Sequence, residues 1–164
     1  MNNQDKMQNM NGMKGMSYGK FGLMMTISFI IMYTVMFLNV DKAEHYHTSI
    51  TRTYMALLMV APMAIVMMAM MGQMYHNKKT NMLIVVASIV VFVLVLAGLR
   101  TQTPVGDVQY MKAMIPHHSS AIMVSKHANI QDPEVKKLSE QIIKSQEKEI
   151  AEMEAMIKRL ENGQ

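Results

Sequence analysis

The sequence predicts an all-α protein in which three transmembrane helices precede an extramembrane helical hairpin. Three segments of spanning length are nearly free of charge, whereas the last third of the chain mixes charged and apolar residues at helical spacing. A helix needs ~20 residues to cross a hydrocarbon core of ~30 Å. The predicted parts are a methionine-rich tail (1–20), a transmembrane region (21–100), a linker (101–106) and the hairpin (107–164).

The apolar segments are expected to run from about Phe21 to Val40, Tyr54 to Tyr75 and Met82 to Leu99. The third segment is rich in β-branched residues and could be read as a buried strand in water. Its length, beside two similar segments, favours a membrane helix instead. Pro62 in the second segment and Pro116 in the hairpin each predict a kink, or at Pro116 a break.

The orientation follows from the lysines. Lys78 and Lys79 lie in the short connection between the second and third segments, and the N-terminal tail also carries lysines. Positive residues favour the cytoplasmic side, so the N-terminus is predicted inside. Three crossings then place the hairpin outside, together with the first connection and its His45 and His47. The expected location is a bacterial inner membrane with a periplasmic hairpin.

The hairpin is predicted from helix-capping signals and apolar spacing. Asp107 is the expected N-cap of the first helix, which reaches about Ala128. Asp132 followed by Pro133 is typical of the start of a second helix, which continues to about Leu160. Two helices bury little apolar surface, so the hairpin is expected to pair with a second copy in a homodimeric four-helix bundle.

Methionine accounts for 23 of the 164 residues, and cysteine is absent. Without cysteine there is no disulfide, thiolate zinc site or thiol nucleophile. The net charge of +4 comes without a basic and aromatic stripe, so nucleic acid is not a predicted partner. The methionines recur in the tail (Met7, Met10, Met13, Met16), in a central stripe (Met55, Met59, Met63, Met67, Met71) and beside a histidine pair.

Thioether and imidazole donors together favour Cu(I) over hard cations. The predicted metal ligands are Met111, Met114, His117, His118, Met123, His127 and Met153, with His45 and His47 as weaker candidates. His117 and His118 point about 100° apart on a helix. Methionine is also an adaptable hydrophobe, so packing is the alternative, above all for the central stripe. Glu149 interrupts an apolar seam and therefore needs a hydrogen-bonding partner or a bound ligand.

The run from Asp107 to Met123, centred on Met114-Ile-Pro-His117-His118, closely resembles the signature of the domain of unknown function 305 family. The stretch Ile143 to Met153 is similar to the second helix of that family. The resemblance implies a ferritin-like four-helix bundle. Some members are periplasmic copper-binding proteins, which implies a metal site at or near five of the predicted ligands (Met114, His117, His118, Met123, Met153). Longer members carry two hairpins in one chain, which strengthens the dimer hypothesis here.

The leading hypothesis is a membrane-anchored metal-binding protein that sequesters or hands over Cu(I) in copper homeostasis or resistance. A second hypothesis is a copper transporter, because three spans and a methionine-rich tail resemble the high-affinity eukaryotic copper transporters. Gly98 stands alone in the third span, however, without a Gly-x-x-x-Gly motif. A third hypothesis is a dimerisation module without metal. No enzymatic activity is predicted, since the hairpin contains no Glu-x-x-His motif of the kind that carboxylate oxidases place on several helices of their bundle.

Overall fold

The computed structural model describes residues 17–163, and within that range it contains no β-strand. The prediction of an all-α protein is thus confirmed for the described chain. The helices are α1 (Tyr18–Val35), α2 (Ile50–Met71), α3 (Lys78–Thr101), α4 (Asp107–His127) and α5 (Pro133–Glu161), with short 3-10 helices at Ala43–His45 and Gly72–Met74. The tail methionines Met7, Met10, Met13 and Met16 lie outside the described residues.

Helices α1, α2 and α3 are each long and apolar enough to cross a membrane. Helix α2 packs against both α1 and α3. Helix α1 ends at Val35, before the predicted end at Val40. The chain turns there because Phe37 is buried, with its ring stacked on Tyr46 and beneath the guanidinium of Arg52.

Tyrosine side chains connect neighbouring helices at both ends of this group. A Cβ at Gly98 of α3 would lie 3.1 Å from Tyr54 Cζ, so the absence of a side chain there lets α3 approach Tyr54 of α2 closely. The Tyr54 hydroxyl donates to the carbonyl of Thr103. At the opposite end, the Tyr18 hydroxyl of α1 donates to Asn81 Oδ1 at 2.8 Å. Close packing of α2 and α3 therefore occurs without a Gly-x-x-x-Gly motif.

The helix boundaries agree with the capping chemistry at most ends. Asp132 accepts hydrogen bonds from two N–H groups of the first turn of α5, as predicted. Gly106 is the N-cap of α4, and Asp107 lies in the first turn, where its charge is favourable. The prediction that Asp107 is the N-cap is therefore wrong by one residue. Helices α2 and α4 continue through Pro62 and Pro116, which excludes the break expected at Pro116.

Helices α4 and α5 form the predicted hairpin and run antiparallel. Lys112, near the start of α4, is paired with Glu161 at the end of α5, with 2.6 Å between Nζ and Oε1. At the other end, Ser139 Oγ donates to the carbonyl of Ser125 at 3.3 Å. The hairpin core, defined here as the buried cluster between the two helices, consists of Met111, Ile115, Ile122, Ile150 and Ile157.

The connection between α1 and α2 holds the hairpin against the apolar helices. The backbone N–H of Asp41 donates to Ser119 Oγ of α4 at 2.7 Å. His45 Nδ1 is hydrogen-bonded to the same hydroxyl, also at 2.7 Å, and both His45 and Ser119 are buried. The first connection and the hairpin thus lie at the same end of the apolar helices, as the predicted topology requires.

Two further contacts fix α4 beside the ends of α1 and α2. Asn39 Nδ2 donates to Ser120 Oγ at 2.8 Å. The N–H of Ile50, which has no acceptor within α2, donates to Gln109 Oε1 at 3.1 Å. Helix α4 therefore has a defined position relative to the membrane helices.

Candidate metal site

The predicted ligands of the hairpin lie in separate places rather than in one cluster. Met111 is buried in the hairpin core, and Met153 packs against it. Both thioethers are surrounded by isoleucine side chains, so in this arrangement Met111 and Met153 fill the apolar core.

His118 lies between α4 and α5 and has a partner for each ring nitrogen. Its Nδ1 lies 3.0 Å from the carbonyl oxygen of Met114, and its Nε2 lies 2.7 Å from Glu149 Oε2. Both partners only accept, and an imidazole with a single N–H donates to one of them at a time. Ser145 Oγ donates to the other oxygen of Glu149 at 2.7 Å. Each carboxylate oxygen of Glu149 therefore has a hydrogen-bond partner, although the residue interrupts the apolar seam of α5. A metal ion can bind His118 Nε2 only after Glu149 has moved away.

The same hydrogen bonds, from Ser145 and then from His118, lower the pKa of Glu149 below its ordinary value. Glu149 therefore remains a carboxylate near neutral pH and acts as an acceptor only. The sequence predicted either a hydrogen-bonding partner or a bound ligand at Glu149, and Ser145 and His118 are such hydrogen-bonding partners.

Met123 and His127 form a third location near the end of α4. His127 Nδ1–H donates to the carbonyl of Met123 at 2.9 Å, and the imidazole is exposed. His127 is nine residues from His118, which corresponds to about 14 Å at ~1.5 Å per residue along the helix. Within one chain, His127 and His118 therefore do not share a metal ion.

Met114 and His117 face the membrane helices. The ring centroids of His117 and His118 are 6.2 Å apart, with 64° between the ring planes, so the two imidazoles diverge as the helical spacing predicts. Met114 and His117 line a cavity of about 290 Å³ between α4 and the connection from α1 to α2. We call this the junction cavity.

Two methionines outside the hairpin also line the junction cavity. Met36 follows the last residue of α1, and Met55 lies near the start of α2. The residues that line the cavity thus include three methionines and one histidine, whose thioether and imidazole groups are donors of the soft to borderline kind. The predicted ligand set did not include Met36. Met55 was predicted only as part of the central stripe.

The topology contains a signal that points to both residues. The three apolar helices alternate in direction, so the end of α1 and the start of α2 lie at the same end of this helix group as the start of the hairpin. Met36 and Met55 occupy those ends, beside the predicted ligand Met114. The spacing of residues within a single helix does not show that Met36 and Met55 lie near Met114.

The weaker histidine candidates lie away from the junction cavity. His45 is engaged by Ser119, as described above. His47 is half-buried, and its Nε2 is buried without a hydrogen-bond partner among the described residues. Burial lowers the pKa of His47, whereas the nearby Glu154 carboxylate opposes that shift.

The central methionine stripe is divided between different environments. Met67 and Met71 pack against the buried aromatic cluster that contains Phe21 and Tyr75 at the far end of α2. Met59 is exposed on the apolar surface. These positions support packing as the role of Met67 and Met71.

Within residues 17–163, no three histidine, aspartate or glutamate side chains come together in a way that could hold a metal ion. Methionine thioethers are further soft donors that the described part of the chain offers. The junction cavity is a place where such donors meet an imidazole.

The sequence matches the family described as Domain of unknown function (DUF305) over residues 59–157. The chain belongs to this family. The matched region of this DUF305 protein begins within α2 and includes α3 and α4, so it extends well beyond the hairpin in which the signature was recognised.

This DUF305 protein is also similar to an uncharacterized protein of Acanthamoeba polyphaga mimivirus. The two are 34% identical over 138 residues, which cover 82% of this chain and 89% of the viral protein. At that coverage, the similarity includes apolar helices as well as the hairpin. No solved structure matches this chain.

Proposed function

We propose that this DUF305 protein is a membrane-anchored Cu(I)-binding protein that sequesters the ion or hands it over in copper homeostasis or resistance. The supporting observation is that Met114 and His117 line one cavity beside the membrane helices. A thioether and an imidazole favour Cu(I) over hard cations. His117 is exposed, whereas His118 is held by Glu149, so His117 is the more accessible ligand.

The remaining predicted ligands have secondary roles in this proposal. Met111 and Met153 pack the hairpin core, and His118 orients the helix pair through Glu149. Met123 and His127 are accessible near the hairpin turn and can contribute to a site shared with another molecule. These assignments make the Met114 and His117 pair the primary site of the hairpin.

The orientation is part of the proposal. Lys78 and Lys79 lie at the start of α3, at the opposite end of the apolar helices from the hairpin. The positive-inside tendency places that end in the cytoplasm and the hairpin outside. In a bacterial inner membrane, the junction cavity would therefore open toward the periplasm.

A homodimer is also proposed, with two hairpins forming a ferritin-like four-helix bundle. Near the hairpin turn, Val124, Val135 and Leu138 are each at least half exposed. They border an apolar groove of about 190 Å³ that also includes Ile142. Covering this groove with the same surface of a second chain would remove apolar area from water.

The metal-binding role is tested by the Cu(I) affinity of the full chain in detergent, measured against a competing chromophoric chelator. A Met114→Leu, His117→Gln double variant should weaken binding by at least about tenfold, since loss of an outer-shell partner alone costs ~10–100-fold. The matched control is Met74→Leu, His76→Gln, which changes the same residue types at the opposite end of the apolar helices, where both residues are exposed. Equal affinity of the first variant and the unmodified chain would refute the proposed function.

A further inference from the structure

We infer that Met36 and Met55 complete the Cu(I) site, so that the ion is held between the membrane helices and the hairpin. This inference rests on the proposed function and makes it more specific. It names two ligands that belong to the transmembrane region. It also predicts that the hairpin alone lacks part of the site.

The first argument is the composition of the junction cavity. Met36, Met55, Met114 and His117 reach it from three segments of the chain. Their side chains offer three thioethers and one imidazole, a soft to borderline donor set that suits Cu(I). The cavity, at about 290 Å³, has room for an ion and for the side-chain movements that bring donors onto it.

The second argument is that the walls of the cavity are held by contacts that do not use the donor atoms. Arg52 Nη1 donates to the carbonyl of Met36 at 2.6 Å, and the guanidinium carbon lies 4.1 Å from the ring centroid of Phe37. Across the cavity, the bond from Asn39 to Ser120 fixes α4 beside α1. The backbone that carries the methionines is therefore positioned before any ion arrives, while the thioethers remain available.

The third argument concerns the charge of the ion. Arg52 is buried and contributes to the lining of the cavity, and the four donors carry no negative charge. The repulsion between a guanidinium and a cation is proportional to the charge of the cation. A divalent ion is therefore repelled twice as strongly as a monovalent ion at the same position. Arg52 opposes any cation in the cavity, but at the same position it opposes Cu(I) and Ag(I) half as strongly as Zn(II).

The test compares two double variants of the full chain in detergent. Met36→Leu, Met55→Leu removes both thioethers with little change in volume. Met32→Leu, Met59→Leu makes the same chemical change one helical turn away on α1 and α2. The first variant should bind Cu(I) at least about tenfold more weakly in the chelator competition, because losing a residue that only supports a ligand already costs ~10–100-fold in metal affinity. The second variant should bind as the unmodified chain does, and thermal unfolding without metal verifies that both are folded.

The outcomes separate this inference from the proposed function. The Met36→Leu, Met55→Leu variant could keep the Cu(I) affinity of the unmodified chain while the Met114→Leu, His117→Gln variant binds Cu(I) more weakly. That result would overturn the inference and leave the proposed function standing. Unchanged affinity in both variants would overturn both.

Two further measurements on the same samples test the chemistry of the cavity. The first compares the binding of Zn(II) and Ag(I). If Zn(II) binds as tightly as Ag(I), and the same variants abolish its binding, the argument from charge and thioether donors is overturned. Stabilisation of the full chain by vesicles with anionic phospholipid, but not by Cu(I), would assign the cavity to a phosphate group on Arg52 and overturn the inference. Stabilisation by Ag(I) that disappears in Met36→Leu, Met55→Leu would support it.

Discussion

Adjacent histidines of this protein have different environments because the helix turns their side chains about 100° apart. His118 faces α5 and has a hydrogen-bond partner for each ring nitrogen, whereas His117 faces the junction cavity. The spacing of the sequence predicts this divergence. It does not predict which histidine remains accessible, because that depends on Glu149, 31 residues away from His118.

His47 gives rise to a pH dependence of stability. Burial lowers its pKa below 6.5, and the charges of Lys112 and His45 add to that effect, while Glu154 and Glu161 oppose it. The unfolded chain therefore binds a proton more readily than the folded chain. Stability is fully present above pH 6.5 and is lost as the pH falls from 6.5 toward the lower pKa of the folded state.

The measurement is the thermal unfolding of the full chain in detergent from about pH 8 to about pH 5, the range in which histidines titrate. The melting temperature should fall toward the acid end, and His47→Gln should reduce that fall. Identical pH profiles for the variant and the unmodified chain would contradict the role assigned to His47.

At the scale of elements, local signals define the ends of α5 better than the connection from α1 to α2. The start of α5 follows from Asp132 and Pro133, whose capping chemistry involves only neighbouring residues. The connection at residues 36–49 depends on Ser119 and Ser120, which lie far away in the sequence. Its turn at Phe37 and the early end of α1 could therefore not be predicted from local pattern.

The packing of the hairpin separates core residues from metal ligands. Ile115 is fully buried, so Ile115→Ala should lower the free energy of unfolding by about 2–5 kcal/mol through lost contacts and a cavity. Met111→Leu conserves volume and should cost less than about 1.5 kcal/mol. Denaturant unfolding followed by circular dichroism measures both. A folded Met111→Leu variant that no longer binds Cu(I) would show that Met111 is a ligand rather than a core residue.

At the scale of the whole molecule, the predicted architecture of three apolar helices and a hairpin follows from the lengths and spacing of apolar residues. The alternation of the spans also places the first connection on the side of the hairpin. What the sequence does not show is how closely the hairpin approaches the membrane helices. That approach depends on side-chain hydrogen bonds such as the one from Ile50 N–H to Gln109, and it creates the junction cavity.

Assembly and metal binding should be separable in this protein. Leu138→Glu places a charge in the exposed apolar groove near the hairpin turn, so it should convert a dimer into a monomer in detergent, as measured by light scattering. The junction cavity is formed within one chain, so the Cu(I) affinity of the variant should remain unchanged. A joint loss of dimer and Cu(I) binding would instead place the metal site between two chains.

The most direct measurement is X-ray absorption at the copper edge of the full chain loaded with Cu(I) in detergent. We predict a first shell dominated by sulfur with one nitrogen neighbour, and fewer sulfur neighbours in Met36→Leu, Met55→Leu. A first shell of only nitrogen and oxygen, or sulfur neighbours that are the same in that variant, would contradict a thioether site between the membrane helices and the hairpin.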